Sequence, residues 1–266
     1  TVNAGVAVAS HDIILRLDAD IITCREHVEA HARWHHTADY LVVLGIIEFV
    51  DETDTLDPTH TYTAVANGHP TDLFDPTLIQ PNWVAKVYEE SDYLLKPGCV
   101  PYRVGDGASI SFSRRLYQDA GGLDPDVLLG EDTEFSYRLA QRGAVFIPDR
   151  NARCWHLGLP RMVTNLDETR RLRTPTVAHR IPTHRHLRQS PGLHYLVPYV
   201  DVVVDTTNAT YEDAKATVLS ALTGTLDEVR VTLIGPWDKL PTGRRRLLDD
   251  PLTDHTLLYE TFRTDN

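Results

Sequence analysis

Residues 40–50, YLVVLGIIEFV, are the strongest apolar run in the chain and limit what it can fold into. The run is too short to cross a bilayer as a helix and contains Glu48, so it reads as a buried strand. Around it, short apolar strands alternate with helical patterns, which points to an α/β architecture. Strands are expected near 12–17, 41–49, 108–113, 144–147, 201–205, 229–234 and 256–260. Helices are expected near 24–36, 81–91, 114–120, 131–142, 211–223 and 242–249. Segment 51–80, rich in Asp, Thr and Pro, reads as a surface excursion.

A chain of 266 residues can bury a substantial core as one large domain or two small ones. Its net charge of -12 argues against a general nucleic-acid binder, because phosphate neutralisation needs a basic face. Cys24, Cys99 and Cys154 are odd in number, far apart and form no CxxC pair, which fits a reducing compartment. With neither a signal peptide nor a membrane span evident, the expectation is a cytoplasmic protein, at most peripheral to the membrane. The chain opens on Thr1 rather than Met, which leaves its native N-terminus open.

Two carboxylates, Asp18 and Asp20, end the apolar stretch DIILRLDADII at 12–22. In an extended strand they would share a face, and adjacent carboxylates repel unless something positive compensates them. Hard divalent ions such as Mg²⁺ or Mn²⁺ meet that need and bridge to substrate phosphates. Taken alone, the pair reads more readily as a solvated strand end or a cap for the helix that follows.

The second cluster spans 105–143, GDGASISFSRRLYQDAGGLDPDVLLGEDTEFSYRLAQRG. Gly107 and Ala108, with Gly105 and Ser109, let a ligand approach the backbone closely. Glu131 and Asp132 open a helix, where acidic residues are favoured by capping and by the helix dipole. The same position suits Asp132 as a general base toward an acceptor hydroxyl. Further on, VFIPDRNARCWHLG carries His156, either a packed histidine or a metal ligand beside the two aspartates. Between Arg161 and Arg188 lie seven Arg and three His in an otherwise acidic chain. This is either a solvated linker or a basic flap over a diphosphate, with Arg161, Arg170 and Arg171 as its contacts. Pro175 and Pro182 argue against a continuous helix there.

In their order and spacing, LDAD, GASISFSRR, GGLDPD, GEDTEFSYRLAQRG and WHLG resemble the family 2 glycosyltransferases of the GT-A fold, over roughly residues 3–158. The resemblance implies an inverting transfer of a sugar, of hexosyl type, from a nucleotide diphosphate-sugar to a glycan or small-molecule acceptor, as in polysaccharide biosynthesis. It implies Mn²⁺ or Mg²⁺ on the diphosphate. By position, Asp18 and Asp20 match the metal and donor motif, Asp132 with Glu131 the acidic motif that supplies the base, and His156 a ligand found in some related enzymes. No QxxRW follows the acidic motif, which argues against a processive synthase. Oligomerisation stays open.

This family normally places its nucleotide-binding strands before the DxD, where this chain has only TVNAGVAVASH. The C-terminal segment reads strand–helix–strand, and VDVVVDTTNAT is similar to the family's opening strand. Thr206 and Asn208 then become donor-binding candidates, and Trp237 a residue to stack on the base. The expected organisation is residues 1–190 as the catalytic part and 191–266 as the nucleotide-binding half. That half either completes the same mixed sheet in permuted order or begins a second module. Two further functions fit parts of the sequence. One is a GT-A-like domain that binds carbohydrate or a partner without catalysis. The other is a sugar-phosphate nucleotidyltransferase, which DTTNATYED disfavours because it lacks a Gly-rich basic loop.

Overall fold

The computed structural model describes residues 2–51, 56–160, 165–188, 193–226, 228–241 and 250–262. The chain divides into two compact units, Thr1–Val177 and Ala178–Asn266. Both are mixed α and β, and the first holds a central mixed sheet flanked by helices, the class expected from the alternating pattern.

The central sheet is built from β1 (Ile13–Leu17), β2 (Ile21–Thr23), β3 (Leu41–Val50), β4 (Ile79–Pro81), β5 (Ser109–Ser113) and β6 (Val145–Leu157). Its order is β1-β5-β3-β6-β2, with β4 alongside β3. Only β3 and β6 run parallel; the other pairs are antiparallel. The apolar run forms β3, with Val42, Val43, Leu44 and Val50 closed to solvent. A strand paired on both edges and covered on both faces needs such a continuous apolar sequence.

In β5 the sequence SISFS alternates, so its two faces differ. Ile110 and Phe112 face one side, where Phe112 meets Phe135 edge-on at 5.5 Å. Phe135 belongs to the helix Glu131–Gln141. Ser109 and Ser111 face the other side and meet the helix His27–His35.

There His27, His31 and His35, four residues apart, present one helical face to the two serines. The Arg153 carbonyl can only accept, so His27 donates Nδ1–H to it at 3.1 Å. Ser109 then donates to His27 Nε2 at 3.1 Å and accepts from His31 Nε2 at 3.2 Å. Ser111 donates to His31 Nδ1 at 2.9 Å and accepts from His35 Nε2 at 2.8 Å. With His27 neutral, each hydrogen bond fixes the next, and His31, which accepts at Nδ1 and donates at Nε2, is neutral as well. Burial pushes all three pKa values down, that of His31 to about 3 with a further push from His27 and His35.

Two expectations for the first unit are corrected. Asp18 and Asp20 lie in a turn between β1 and β2, not in an extended strand, and Ile21 N–H closes it onto the Asp18 carbonyl at 3.3 Å. The basic segment forms a helix, Leu166–Arg180, that runs through Pro175. Proline removes one backbone donor from a helix but does not always end it.

In the second unit, β7 (Val200–Asp205) and β8 (Val229–Ile234) pair in parallel as a two-stranded sheet of their own. Among the described residues, each of these two strands pairs only with the other. Both strands alternate: Val202, Val204, Val231 and Leu233 are half-buried, whereas Asp201, Val203, Asp205, Arg230, Thr232 and Ile234 are exposed. Segment 256–260 is helical, within Thr253–Phe262, and not a strand. Asp250 starts that helix by accepting from Leu252 N–H at 2.8 Å, and His255 and Leu258 are its buried side. The helix expected near 242–249 falls outside the described residues. Among the described residues, no helix is long and apolar enough to cross a membrane.

Candidate metal and acid–base site

The turn after β1 and the end of β6 are tied together by backbone. Leu157 N–H donates to the Asp20 carbonyl at 2.9 Å, and Ile21 is paired with His156 across the antiparallel β2 and β6. This brings Asp18, Asp20 and His156 to one point, each offering an atom within 4.8 Å of the others.

The His156 ring has a defined orientation. Its Nδ1 lies 3.1 Å from the Leu157 carbonyl and 3.2 Å from that of Gly158. Carbonyls only accept, so Nδ1 carries the proton and Nε2 turns to Asp20, with Oδ1 at 3.5 Å. That nitrogen can meet the carboxylate in two ways, as an N–H in an ion pair or as a lone pair with a cation between them. Two carboxylates and one imidazole form a donor set suited to Mn²⁺, and with waters to Mg²⁺. The residues present therefore fit a divalent ion.

The charge balance points the same way. Burial raises the Asp18 pKa; Asp132 and Asp20 add to the rise, against the pull of Arg16 and His156. Burial also raises Asp106, with help from Asp132 and Asp18, and Glu131, with help from Asp132. Crowded carboxylates of this kind are relieved by a nearby cation.

Asp132 and Glu131 stand in the first turn of the helix Glu131–Gln141, as the sequence implies. Gly130 precedes it at φ +89, and a Cβ there would sit 3.0 Å from the Arg173 side chain. Glycine alone adopts that backbone freely, so it sets the angle at which the helix begins. Arg16 Nη1 donates to Asp132 Oδ1, and Arg16 Nη2 lies 3.7 Å from Asp18 Oδ1. Gly107 lies against this pair: a Cβ there would collide with the Arg16 guanidinium and the Asp132 carboxylate. Ala108 takes part through its backbone, accepting from Asp18 N–H at 3.2 Å and donating to Asp106 Oδ1 at 3.1 Å.

Asp18, Asp20, His156, Glu131, Asp132, Gly107 and Ala108 all belong to the first unit. Thr206, Asn208 and Trp237 belong to the second. Thr206 is fully buried and gives its hydroxyl to the Ile234 carbonyl at 2.8 Å. Trp237 gives its indole N–H to the Leu233 carbonyl at 3.0 Å and packs edge-on against His255. Asn208 is exposed. Arg170 and Arg171 are exposed on their helix, and Arg161 lies outside the described residues. The arginine of that segment that reaches the acidic motif is Arg173, which donates to Thr133 Oγ1 at 2.8 Å.

Three charged residues escaped the sequence reading: Arg16, Asp106 and Arg173. Arg16 had a signal, since it is the one charge inside IILRL on the face it shares with Ile14. Asp106, between Gly105 and Gly107, is held by Asn82 at 3.1 Å, a contact between residues 24 positions apart that spacing does not disclose.

No protein-family model matches the chain, and no curated protein sequence matches it. Among solved structures, it is similar to the crystal structure of GalNAc-T7 with UDP, GalNAc and Mn²⁺, at 14% sequence identity and a TM-score of 0.39. The likeness covers 66% of this chain and 34% of that one, so this chain spans about a third of that protein's length. At that level it carries no functional argument, which rests instead on the side chains described above.

Proposed function

We propose that the chain is a metal-dependent, inverting glycosyltransferase that moves a sugar from a nucleotide diphosphate-sugar to an acceptor hydroxyl. The observation that carries this reading is the convergence of Asp18, Asp20 and His156 on one point, with Asp132 joined to the same cluster through Arg16.

Asp18, Asp20 and His156 would hold the divalent ion, which when bound neutralises charge on the diphosphate as it leaves. Asp132 takes the proton from the acceptor hydroxyl. The freed oxygen attacks the anomeric carbon, the bond from that carbon to the diphosphate oxygen breaks, and the nucleotide diphosphate departs with the electron pair. Glu131 adds negative charge beside the base. Gly107 and Ala108, which bring no bulk, leave the donor room to lie against backbone.

Asp132→Asn keeps the shape of the side chain and removes its ability to accept a proton. Turnover, read as nucleotide diphosphate released from a nucleotide-sugar that the wild type consumes, should fall by about 10²- to 10⁴-fold with donor binding retained. Undiminished turnover would remove Asp132 as the base.

A second reading, a GT-A-like domain that binds carbohydrate or a partner without catalysis, is favoured by one observation. The strands expected to supply the nucleotide floor form a separate sheet, and Thr206 and Trp237 spend their polar groups internally. It predicts no affinity for nucleotide diphosphates.

A further inference from the structure

In β1, Arg16 is paired with Ile110, and it borders one small cavity with Ile110, Phe112, Leu123, Phe135, Ser136 and Asp132. Its side chain is 17% exposed, so the guanidinium gives up most of its water. Such burial is unfavourable unless compensated by charge and hydrogen bonds. Compensation comes from two directions: Asp132, which it bonds, and Asp18, which lies within charge reach but beyond hydrogen-bond distance. Burial works to lower the Arg16 pKa, yet Asp132, Asp18 and Glu131 together raise it above its ordinary value. The absence of a side chain at Gly107 makes the space in which the guanidinium meets the Asp132 carboxylate.

We propose that Arg16 is a positioning residue shared between the acid–base and metal sides of the site: it fixes Asp132 through Oδ1 and competes with a divalent ion for Asp18. Among the described residues, Asp132 Oδ2 has no hydrogen-bond partner, so it remains free to take a proton while the carboxylate is held. A cation arriving at Asp18 withdraws that carboxylate from Arg16 and leaves the guanidinium committed to Asp132. Metal loading and orientation of the base are thereby linked through one side chain. The effect on turnover rests on the glycosyltransferase reading; the effect on metal binding does not.

The two effects have opposite signs, which a purely structural role would not produce. The test is calorimetric titration of the full chain with Mn²⁺ alone, for the wild type, Arg16→Gln and Arg16→Lys. Arg16→Gln removes a positive charge beside Asp18, so it should bind Mn²⁺ about tenfold more tightly than the wild type. Arg16→Lys, which keeps the charge, should stay within about twofold of the wild type on the same ground. In the same preparations, release of nucleotide diphosphate from a nucleotide-sugar that the wild type consumes should fall by about 100-fold in kcat for Arg16→Gln, with KM little changed. Arg16→Lys should recover part of that loss, since it restores the charge but not the planar fork. If Arg16→Gln does not fold, Arg16→Met preserves the stem against Ile110 and Phe112 and takes its place; failure of both to fold would make Arg16 structural and overturn the proposal. Mn²⁺ affinity unchanged or weakened in the neutral variant overturns it as well. A wild type that binds Mn²⁺ but consumes no nucleotide-sugar defeats the glycosyltransferase reading, while the ratio of Mn²⁺ affinities still decides the role of Arg16. A wild type that does not bind Mn²⁺ overturns both.

Discussion

His156 turns Nε2 toward Asp20 Oδ1, 3.5 Å away, because its other ring nitrogen is held by the carbonyls of Leu157 and Gly158. The backbone at the end of β6 thus decides which nitrogen is offered. Outer hydrogen bonds of this kind fix the tautomer of metal-binding histidines.

Replacing His156 by Ala should therefore weaken Mn²⁺ binding by about tenfold to 100-fold, with Asp20→Asn in the same range. Calorimetric titration with Mn²⁺ measures it. Both variants should keep the melting temperature of the wild-type apoprotein within a few degrees, since Asp20 is exposed and His156 lies at the strand end. Equal Mn²⁺ affinity in His156→Ala would take the histidine out of the ligand set.

Gly107→Ala should preserve the fold and damage the site. The added methyl collides with the far ends of two side chains, Arg16 and Asp132, which can move aside, rather than with backbone. Circular dichroism should show a folded protein, and any turnover should drop as it does in Arg16→Gln. Wild-type turnover in Gly107→Ala would show that the Arg16–Asp132 contact is not needed.

The histidine chain makes a prediction about acid stability. His27, His31 and His35 are neutral in the folded protein and have pKa values lowered by burial, that of His31 to about 3. The unfolded chain takes up protons near the ordinary histidine pKa of about 6.5, so it binds more protons than the folded chain below that pH. Stability should then be undiminished by these groups above about pH 6.5 and fall as the pH drops toward 3, by about 1.4 kcal/mol per unit for His31 alone. Urea unfolding at pH 7 and pH 5 measures the slope. In His31→Gln it should be shallower, and an equal slope in that variant would place the acid sensitivity elsewhere.

Much of the first unit is legible in the sequence because its strands and helices carry unambiguous periods. YLVVLGIIEFV becomes the buried β3, and GEDTEFSYRLAQRG becomes the helix Glu131–Gln141 with its acidic residues at the start. The candidate site is legible where its proposed members belong to local patterns, as with Asp18, Asp20 and Asp132. Where pairing between distant segments decides, it is not. The histidines at 27, 31 and 35 and the serines at 109 and 111 each show a regular spacing, but only strand order brings helix and strand together. The same holds for Arg16, whose partner is 116 residues away. The C-terminal strands are legible as strands from their alternation, but alternation does not say which strand each pairs with. Segment 256–260 reads as a strand yet is helical, because a short apolar run does not distinguish the two.

The most direct test of the metal–diphosphate site is calorimetric titration of the full wild-type chain with UDP, GDP and dTDP in turn, with and without Mn²⁺, alongside Asp18→Asn and Asp20→Asn. At least one nucleotide should bind in the presence of Mn²⁺, at least about tenfold more weakly in its absence, and with affinity lost in both variants. Failure of all three to bind with Mn²⁺ present, or binding indifferent to Mn²⁺ and to both substitutions, would contradict a donor site at Asp18 and Asp20.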